Sequence, residues 1–166
     1  MNLRLKQACL SGGQYGANIP ASEYVSDGVR FLRTTDIEEG GTLTPPESGV
    51  YVTKDMVPGH LLGPGDILFS RSGTLGRAYL HDRNLEVLNS FAGYLVRFRP
   101  KATVAPRYIF YASRSASFLG QIDADAIQTT ISNFNAEKYG NIALWLPPLP
   151  TQKAIADFLD RKTAAI

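Results

Sequence analysis

A glycine-punctuated stretch at residues 65–80 carries side chains suited to contacting a nucleic acid. It reads Gly-Asp-Ile-Leu-Phe-Ser-Arg-Ser-Gly-Thr-Leu-Gly-Arg-Ala-Tyr-Leu. Two apolar runs around a polar turn predict a β-hairpin, and the turn glycines allow positive φ and close approach of a partner. The turn gathers donors for phosphates and base edges: Arg71, Ser72, Thr74 and Arg77. A tight turn of solvated polar residues is the alternative interpretation.

Two other segments offer similar chemistry, one at the end of a predicted strand over 29–33 and one in a polar, β-prone stretch over 127–135. Arginine can bind guanine, and asparagine or glutamine can bind adenine, through paired hydrogen bonds. These segments supply the candidates Arg33, Thr34, Thr35, Gln128, Thr129, Thr130, Ser132, Asn133 and Asn135, with Lys138 as a phosphate contact. For the threonines and serines, an ordinary sheet surface explains the pattern equally well.

The length and composition of the chain limit the classes of protein to which it can belong. The 166 residues suffice for one domain with a real core, and no apolar run approaches the roughly 20 residues of a membrane helix. No signal-peptide pattern opens the chain, and the single cysteine, Cys9, excludes an intrachain disulfide and is expected in the core. We therefore expect a cytoplasmic protein.

The charge distribution favours a polyanionic partner. Between positions 71 and 114 there are eight basic and two acidic residues, a local charge of +6. The whole chain carries +2, which leaves −4 elsewhere. A basic segment in a nearly neutral protein is typical of nucleic-acid binding, although a solvated surface is the common alternative.

Catalytic constellations are harder to find. The turn glycines are not followed by the Gly-Lys-Ser/Thr of a phosphate-binding loop. The only histidines, His60 and His81, fall in different predicted loops, and we expect both at the surface. Asp160-Arg161-Lys162 supplies half of a nuclease-type metal site without a partner carboxylate, so we interpret it as a solvated helix face.

Short predicted strands and helices must position the candidate DNA-contacting residues. Alternation predicts a strand over 94–99 with one apolar and one largely basic face, and residues 142–146 read as a buried strand. Residues 12–16 look like a loop, and a half-buried strand is expected over 29–33. Pro106 suits the first turn of a helix with an apolar stripe at Ile109, Ala112, Ala116 and Leu119, and Asn135 can cap a short helix over 136–139.

The C-terminal region divides the chain. Residues 147–150 (Pro-Pro-Leu-Pro) form a stiff hinge, so we expect a globular domain over 1–149 and the beginning of a helix over 150–166. One stripe of that helix is apolar and predicts an interface with a partner helix: Ile155, Phe158, Leu159 and Ile166.

Three motifs together resemble the specificity subunits of type I restriction–modification systems. They are Gln-Tyr-Gly at 14–16 with Phe-Leu-Arg-Thr-Thr-Asp-Ile at 31–37, the Gly-Asp-Ile-Leu-Phe-Ser-Arg-Ser-Gly-Thr-Leu-Gly run at 65–76, and Ile-Ala-Leu-Trp-Leu-Pro-Pro-Leu-Pro-Thr-Gln at 142–152 with Ile-Ala-Asp-Phe-Leu-Asp at 155–160. The third is the most specific. The resemblance extends over nearly the whole chain, in the family's order.

The resemblance implies an α+β target recognition domain with a strand-rich, curved sheet that reads one half of a split DNA sequence. It implies no catalysis, metal or cofactor in this chain. S-adenosylmethionine is expected in partner methylation subunits, and cleavage in a restriction subunit. The sequence departs from the family by holding a single recognition domain. It therefore resembles an excised piece or a half-subunit that pairs with a second recognition domain or with itself through the C-terminal helix.

Two other functions remain compatible with the residues. One is a small metal-dependent nuclease using Asp160 or another carboxylate. The other is a protein-interaction module acting through the C-terminal helix alone.

Overall fold

The computed structural model describes residues 1–82, 87–129 and 133–164. Within these ranges the protein is α+β, as predicted. The strands are β1 (Asn2–Arg4), β2 (Gln14–Tyr15), β3 (Val29–Leu32), β4 (Tyr51–Val52), β5 (Asp66–Ser70), β6 (Ala78–His81), β7 (Asn89–Phe91), β8 (Leu95–Phe98) and β9 (Ala143–Trp145). The α-helices are α1 (Pro106–Ala112), α2 (Ala116–Gln128), α3 (Ala136–Gly140) and α4 (Leu149–Ala164).

The predicted hairpin, β5 and β6, forms one side of a four-stranded antiparallel sheet with the order β2-β8-β5-β6. Its register pairs Asp66 with His81 and Phe69 with Ala78. The Phe69 ring stacks on the Tyr139 ring of α3 with centroids 4.9 Å apart, and both side chains are fully buried. Stacked aromatic burial therefore attaches the hairpin to the helical layer.

The predicted loop at 12–16 is wrong at its centre, because Gln14 and Tyr15 form β2 and pair with Arg97 and Val96 of β8. The partner strand lies about eighty residues away, so local residue types do not reveal the pairing.

A second sheet has the order β4-β3-β7, with β3 parallel to β7. The strand predicted over 29–33 is present as β3, but it is fully buried instead of half-buried. Even Arg30 is only 5% exposed, because its guanidinium donates to the Thr44 carbonyl and hydroxyl, each at 3.0 Å.

The basic face predicted for strand 94–99 does not exist. Arg97 of β8 is buried, because its guanidinium lies over the Phe91 ring and donates to the Leu61 carbonyl at 2.8 Å. Its guanidinium lies 3.6 Å from the buried carboxylate of Asp66, which also accepts two hydrogen bonds from Arg99. Burial lowers the pKa of Arg97, while Asp66 opposes the shift.

The expected surface position of His81 is also wrong. His81 is 3% exposed, and its Nδ1 is 3.0 Å from the Tyr79 hydroxyl. Cys9 is buried, as expected of a core residue, and burial raises the pKa of its thiol to about 12.

The helix that begins at Pro106 is broken into α1 and α2, with Ser115 capping the second helix by accepting from the Phe118 N–H at 3.2 Å. α2 continues through Gln128, so the β-prone interpretation of 127–135 is wrong at its first two residues. The predicted cap at Asn135 is confirmed by a 2.9 Å hydrogen bond from the Lys138 N–H.

The strand predicted over 142–146 is only half-buried. β9 pairs with β1 alone, so Leu144 faces the core while Ala143 and Trp145 are exposed. The core covers only one face of this two-stranded sheet, so β9 is half-buried and not fully buried as predicted.

The terminal helix α4 packs on α1 through Gln152 and Ala156, both buried, instead of through the centre of the predicted apolar stripe. Gln152 accepts from the Ala105 N–H at 2.9 Å and donates to the Pro147 carbonyl at 2.7 Å. Asp160 is half-exposed and Arg161 and Lys162 are exposed, as predicted for a solvated helix face. Asp160 also accepts from the Tyr111 hydroxyl at 2.5 Å and from the Arg107 guanidinium.

Within the stripe, Ile155 and Leu159 are half-buried and Phe158 is 50% exposed. Ile166 lies outside the described residues. The use of this stripe by a partner helix stays a prediction.

Candidate nucleic-acid interface

The hairpin turn, residues 71–77, is held in one conformation by buried hydroxyl groups. Ser70 Oγ donates to the Thr74 carbonyl at 2.6 Å and accepts from the Arg77 N–H at 3.0 Å. The Tyr139 hydroxyl donates to the Ser70 carbonyl at 2.6 Å and accepts from the Gly76 N–H at 3.1 Å. Glycines at 73 and 76 adopt the positive φ that the turn needs. The turn is therefore a rigid platform.

Arg71 is the basic side chain that this platform presents. Its N–H donates to the Tyr94 carbonyl at 3.0 Å, and its carbonyl accepts from the Phe134 N–H at 2.7 Å. The guanidinium lies over the Tyr15 ring, 4.5 Å from the centroid. No carboxylate of the described residues pairs with it, and its Nε is buried without a hydrogen-bond partner there. Within the described part of the chain, the charge of Arg71 is therefore supported by an aromatic ring and not neutralised by a carboxylate.

Two further predicted residues join Arg71. Ser72 forms an isolated antiparallel bridge with Asn133, which places the start of the 133–140 segment beside the hairpin turn. The Tyr15 hydroxyl accepts from the Ala136 N–H at 3.0 Å, so β2 and α3 meet at the same place. Asn135 lies here too, but its side chain serves as the cap of α3.

The cluster Arg33, Thr34 and Thr35 opens a short 3-10 helix (Thr34–Asp36). Arg33 donates to Asp36 through Nε at 3.0 Å and Nη2 at 3.1 Å. Burial alone would raise the pKa of Asp36, but the side-chain and backbone hydrogen bonds from Arg33 lower it overall. The Thr34 hydroxyl is buried without a partner among the described residues, while Thr35 is exposed.

This cluster borders a groove of about 600 Å³, which we call the tyrosine groove. Its principal lining residues are Asn18, Tyr24, Phe31, Arg33, Thr34 and Tyr94. Tyr94 is 64% exposed, and its carbonyl accepts the hydrogen bond from the Arg71 N–H. The groove and the hairpin turn therefore belong to one continuous face.

Sequence reasoning missed the aromatic residues of this face, Tyr15, Tyr24 and Tyr94, together with Asn18. Tyr94 shares the alternation of Val96 and Phe98 and was therefore assigned to an apolar face. Its place just before β8 begins leaves it outside the sheet that buries those two residues. Tyr15 belongs to the Gln-Tyr-Gly motif at 14–16, but its strand is only two residues long, so periodicity did not place it on this face.

Other predicted residues are engaged elsewhere. Lys138 pairs with Asp125 at 2.8 Å, and Arg77 donates to the Ile37 carbonyl at 2.7 Å. Thr74 borders a separate groove with Arg77. Gln128 ends α2, and the Thr129 hydroxyl donates back to the Asp125 carbonyl at 3.3 Å. Thr130 and Ser132 lie outside the described residues.

Most of the described arginines between 71 and 114 are bound to carboxylates or carbonyls of the domain. Besides the pairs of Arg97 and Arg99 with Asp66, Arg107 pairs with Asp157 at 2.7 Å and with Asp160. Arg114 donates to the Glu39 carbonyl at 2.9 Å. The net charge counted along the sequence is therefore larger than the positive charge that remains free at the surface. On the described part of this face, Arg71 is the main basic residue without a paired carboxylate.

Metal and membrane sites are absent from the described parts of the chain. Across 1–82, 87–129 and 133–164, no group of three histidine, cysteine, aspartate or glutamate side chains could hold a metal ion. No helix in those ranges is long and apolar enough to cross a bilayer.

Comparison with known proteins identifies relatives of this arrangement. The family model described as "Type I restriction modification DNA specificity domain" matches residues 23–166. The chain is 26% identical, over 152 residues, to the specificity subunit of the type I restriction enzyme StySPI from Salmonella potsdam. That match covers 88% of this chain and 32% of the relative, so the chain spans about a third of its length.

Solved structures share the fold. A chain from a structural study of type I R-M complex assembly superposes with a TM-score of 0.75 at 20% identity, covering 99% of this chain and 38% of that one. The HsdS subunit from Thermoanaerobacter tengcongensis gives 0.72 at 20% identity, covering 99% and 37%. The S subunit from M. genitalium gives 0.64 at 14% identity, covering 98% and 39%.

Proposed function

The chain belongs to the family of type I restriction–modification DNA specificity domains, and from this premise we propose that it reads one half of a bipartite target in duplex DNA. The family match supports the class of function. The geometry supports where the reading takes place: the face formed by the hairpin turn, the start of the 133–140 segment and the tyrosine groove.

The observation that carries the proposal is the guanidinium of Arg71, which pairs with no carboxylate among residues 1–82, 87–129 and 133–164. A guanidinium has a planar fork of donors that fits the O6 and N7 acceptors of guanine. Arg71 is fixed at its backbone by two hydrogen bonds and at its side chain by the Tyr15 ring. Fixing a long side chain before binding reduces the entropy lost on complex formation.

The experiment is selection of binding duplexes from a random library, followed by fluorescence anisotropy with the purified chain. We expect one short sequence to be enriched, with affinity that falls as salt rises, because phosphate contacts release counterions. Equal affinity for all duplexes, or none for any, would contradict the proposal. Added S-adenosylmethionine or magnesium is expected to give neither methylation nor cleavage.

We infer further that partner subunits complete the system. A methylation subunit that binds S-adenosylmethionine and a restriction subunit would carry the chemistry, and this chain would direct them to the target. The exposed Phe158 ring and the half-buried Ile155 and Leu159 on α4 support an association surface for a second recognition domain or for a methylation subunit. The working location would be the cytoplasm.

The nuclease alternative gains no support. Asp160, its proposed carboxylate, is held by Arg107 and Tyr111. The interaction-module alternative accounts for α4 but leaves the hairpin turn unexplained.

A further inference from the structure

The tyrosine groove has features that a flat DNA-contacting surface does not need. Its volume of about 600 Å³ lies within the range of about 300–1,000 Å³ that small-molecule sites occupy. Tyr24, Phe31 and Tyr94 contribute aromatic surface to its walls. These features indicate a site for one planar ligand group.

Polar groups border the same groove. The Thr34 hydroxyl is buried and has no hydrogen-bond partner among the described residues. A buried polar group without a partner is costly, so a ligand that pairs with it gains affinity. The exposed Asn18 side chain adds an amide to the groove lining, with one acceptor and two donors.

The Asn18 amide lies directly against the backbone at Gly93. A Cβ built on Gly93 would lie 2.2 Å from Asn18 Oδ1, so a larger residue at position 93 would displace the amide from its present position. The Gly93 N–H donates to the Ala17 carbonyl at 3.0 Å, which joins the two sides of the groove. Gly93 directly precedes Tyr94, so the backbone segment beside the Asn18 amide also carries the Tyr94 ring of the groove wall.

A positive group lies at the same groove. The Nε and Nη2 atoms of Arg33 are bound to Asp36 and the Ser48 carbonyl, but its Nη1 has no partner among the described residues. An aromatic site with hydrogen-bonding groups and a neighbouring cation matches a nucleotide, whose base stacks and whose phosphate is anionic.

We propose that the tyrosine groove binds a single nucleobase that has left the stack of the target DNA. The base lies against Tyr94 and Tyr24, its polar edge pairs with Asn18 and Thr34, and Arg33 contacts the attached phosphate. This site rests on the proposed function, because the groove continues the face that carries Arg71. Stacking on aromatic rings and new hydrogen bonds offset part of the cost of unpairing the base.

The test is a mismatch scan of the selected duplex with the complete 166-residue chain. Unpairing costs less for a mismatched base, so a mismatch at the extruded position should raise affinity about tenfold, whereas mismatches elsewhere should lower it or leave it unchanged. Substituting 2-aminopurine at that position should change its fluorescence on binding, which reports the unstacking directly.

Substitutions of groove residues test whether the gain in affinity from the mismatch arises in the tyrosine groove. Thr34→Val and Asn18→Ala should abolish the gain from the mismatch, while Thr34→Ser keeps the hydroxyl and the gain. Thr42→Val, on an exposed threonine of a different cleft, should behave like the unmodified chain. Unfolding curves exclude a folding defect, which is not expected because the Thr34 hydroxyl makes no bond to lose.

The outcomes separate the two proposals. Sequence-selective binding without a favourable mismatch at any position overturns the base site and leaves DNA recognition intact. A favourable mismatch that survives Thr34→Val and Asn18→Ala also overturns the site. Failure to bind any duplex contradicts the proposed function itself, and the base site with it.

Discussion

The guanidinium carbon of Arg71 lies 4.5 Å from the centre of the Tyr15 ring, although 56 positions separate the two residues in the chain. The Tyr15 hydroxyl is itself bound to the Ala136 N–H at the start of α3. The ring therefore acts as a fixed support that orients the guanidinium toward a partner, and both residues can be tested.

Replacing Arg71 measures base reading. If the guanidinium binds a guanine through two hydrogen bonds, Arg71→Ala should cost about 1–3 kcal/mol on the selected duplex and relax specificity at one position. Arg71→Lys keeps the charge but not the fork, so most of the specificity should still be lost. Anisotropy titrations against selected and unrelated duplexes measure both the loss of affinity and the loss of specificity. An equal loss on every duplex would assign Arg71 to a phosphate.

Replacing Tyr15 tests the support. Tyr15→Leu should weaken selected binding by about 0.5–1 kcal/mol, the size of a cation–π contact at an exposed site. Tyr15→Phe keeps the ring and should lose less. In an Arg71→Ala background, Tyr15→Leu should have little further effect, because the contact is already gone. Additive losses in this double-mutant cycle would show that Tyr15 acts independently.

The Tyr139 hydroxyl tests the rigidity of the hairpin turn. Tyr139→Phe leaves the Ser70 carbonyl and the Gly76 N–H without their partner, which should cost about 1–3 kcal/mol in the free energy of unfolding. Urea denaturation measures this loss. Tyr111→Phe, at a half-exposed hydroxyl on α1, serves as the control and should cost less. Equal losses in the two variants would argue against a special role for Tyr139.

The buried carboxylate of Asp66 organises the base of the hairpin. Asp66→Asn should destabilise the fold by about 3–5 kcal/mol, because it leaves the guanidinium of Arg97 buried without a countercharge. Asp157→Asn breaks the exposed pair with Arg107 and should cost about 0–1 kcal/mol. Chemical denaturation of both variants makes the comparison, and similar losses would refute the buried network.

His81 predicts an acid-sensitive fold. Burial lowers the pKa of His81 below its ordinary 6.5, against the opposing effect of Asp66 and Asp82. The folded state therefore binds this proton less readily than the unfolded state, so the contribution to stability is present above about pH 6.5 and is lost as the pH falls toward the folded pKa. His81→Gln should reduce the slope of unfolding free energy with pH in that window.

The matched control for this slope is His60→Gln, at the other histidine. His60 lies half-exposed in the loop before β5, so this variant measures how much the replacement of a histidine outside the buried core changes the slope. An unchanged slope in His81→Gln would show that the buried imidazole does not govern acid stability.

Local features of the molecule were predictable from the sequence. The hairpin is one, because its two strands are joined by a short glycine turn and their pairing needs no distant partner. The Asn135 cap is another, since it acts on the N–H three residues later. The family was also recognisable, because its motifs occur in order along the chain.

Tertiary structure decided which polar residues are available. Alternation shows that Arg97 and Val96 point to opposite sides of β8, but it cannot show that both sides are covered. Val96 packs into the main core, and the Arg97 guanidinium lies over the Phe91 ring and donates to the Leu61 carbonyl. His81 is buried as well, although β6 is the edge strand of the same sheet. The face that we propose contacts DNA joins Tyr15, Arg71 and Tyr94 from separate segments, and only the packing of β2, the hairpin turn and β8 brings them together.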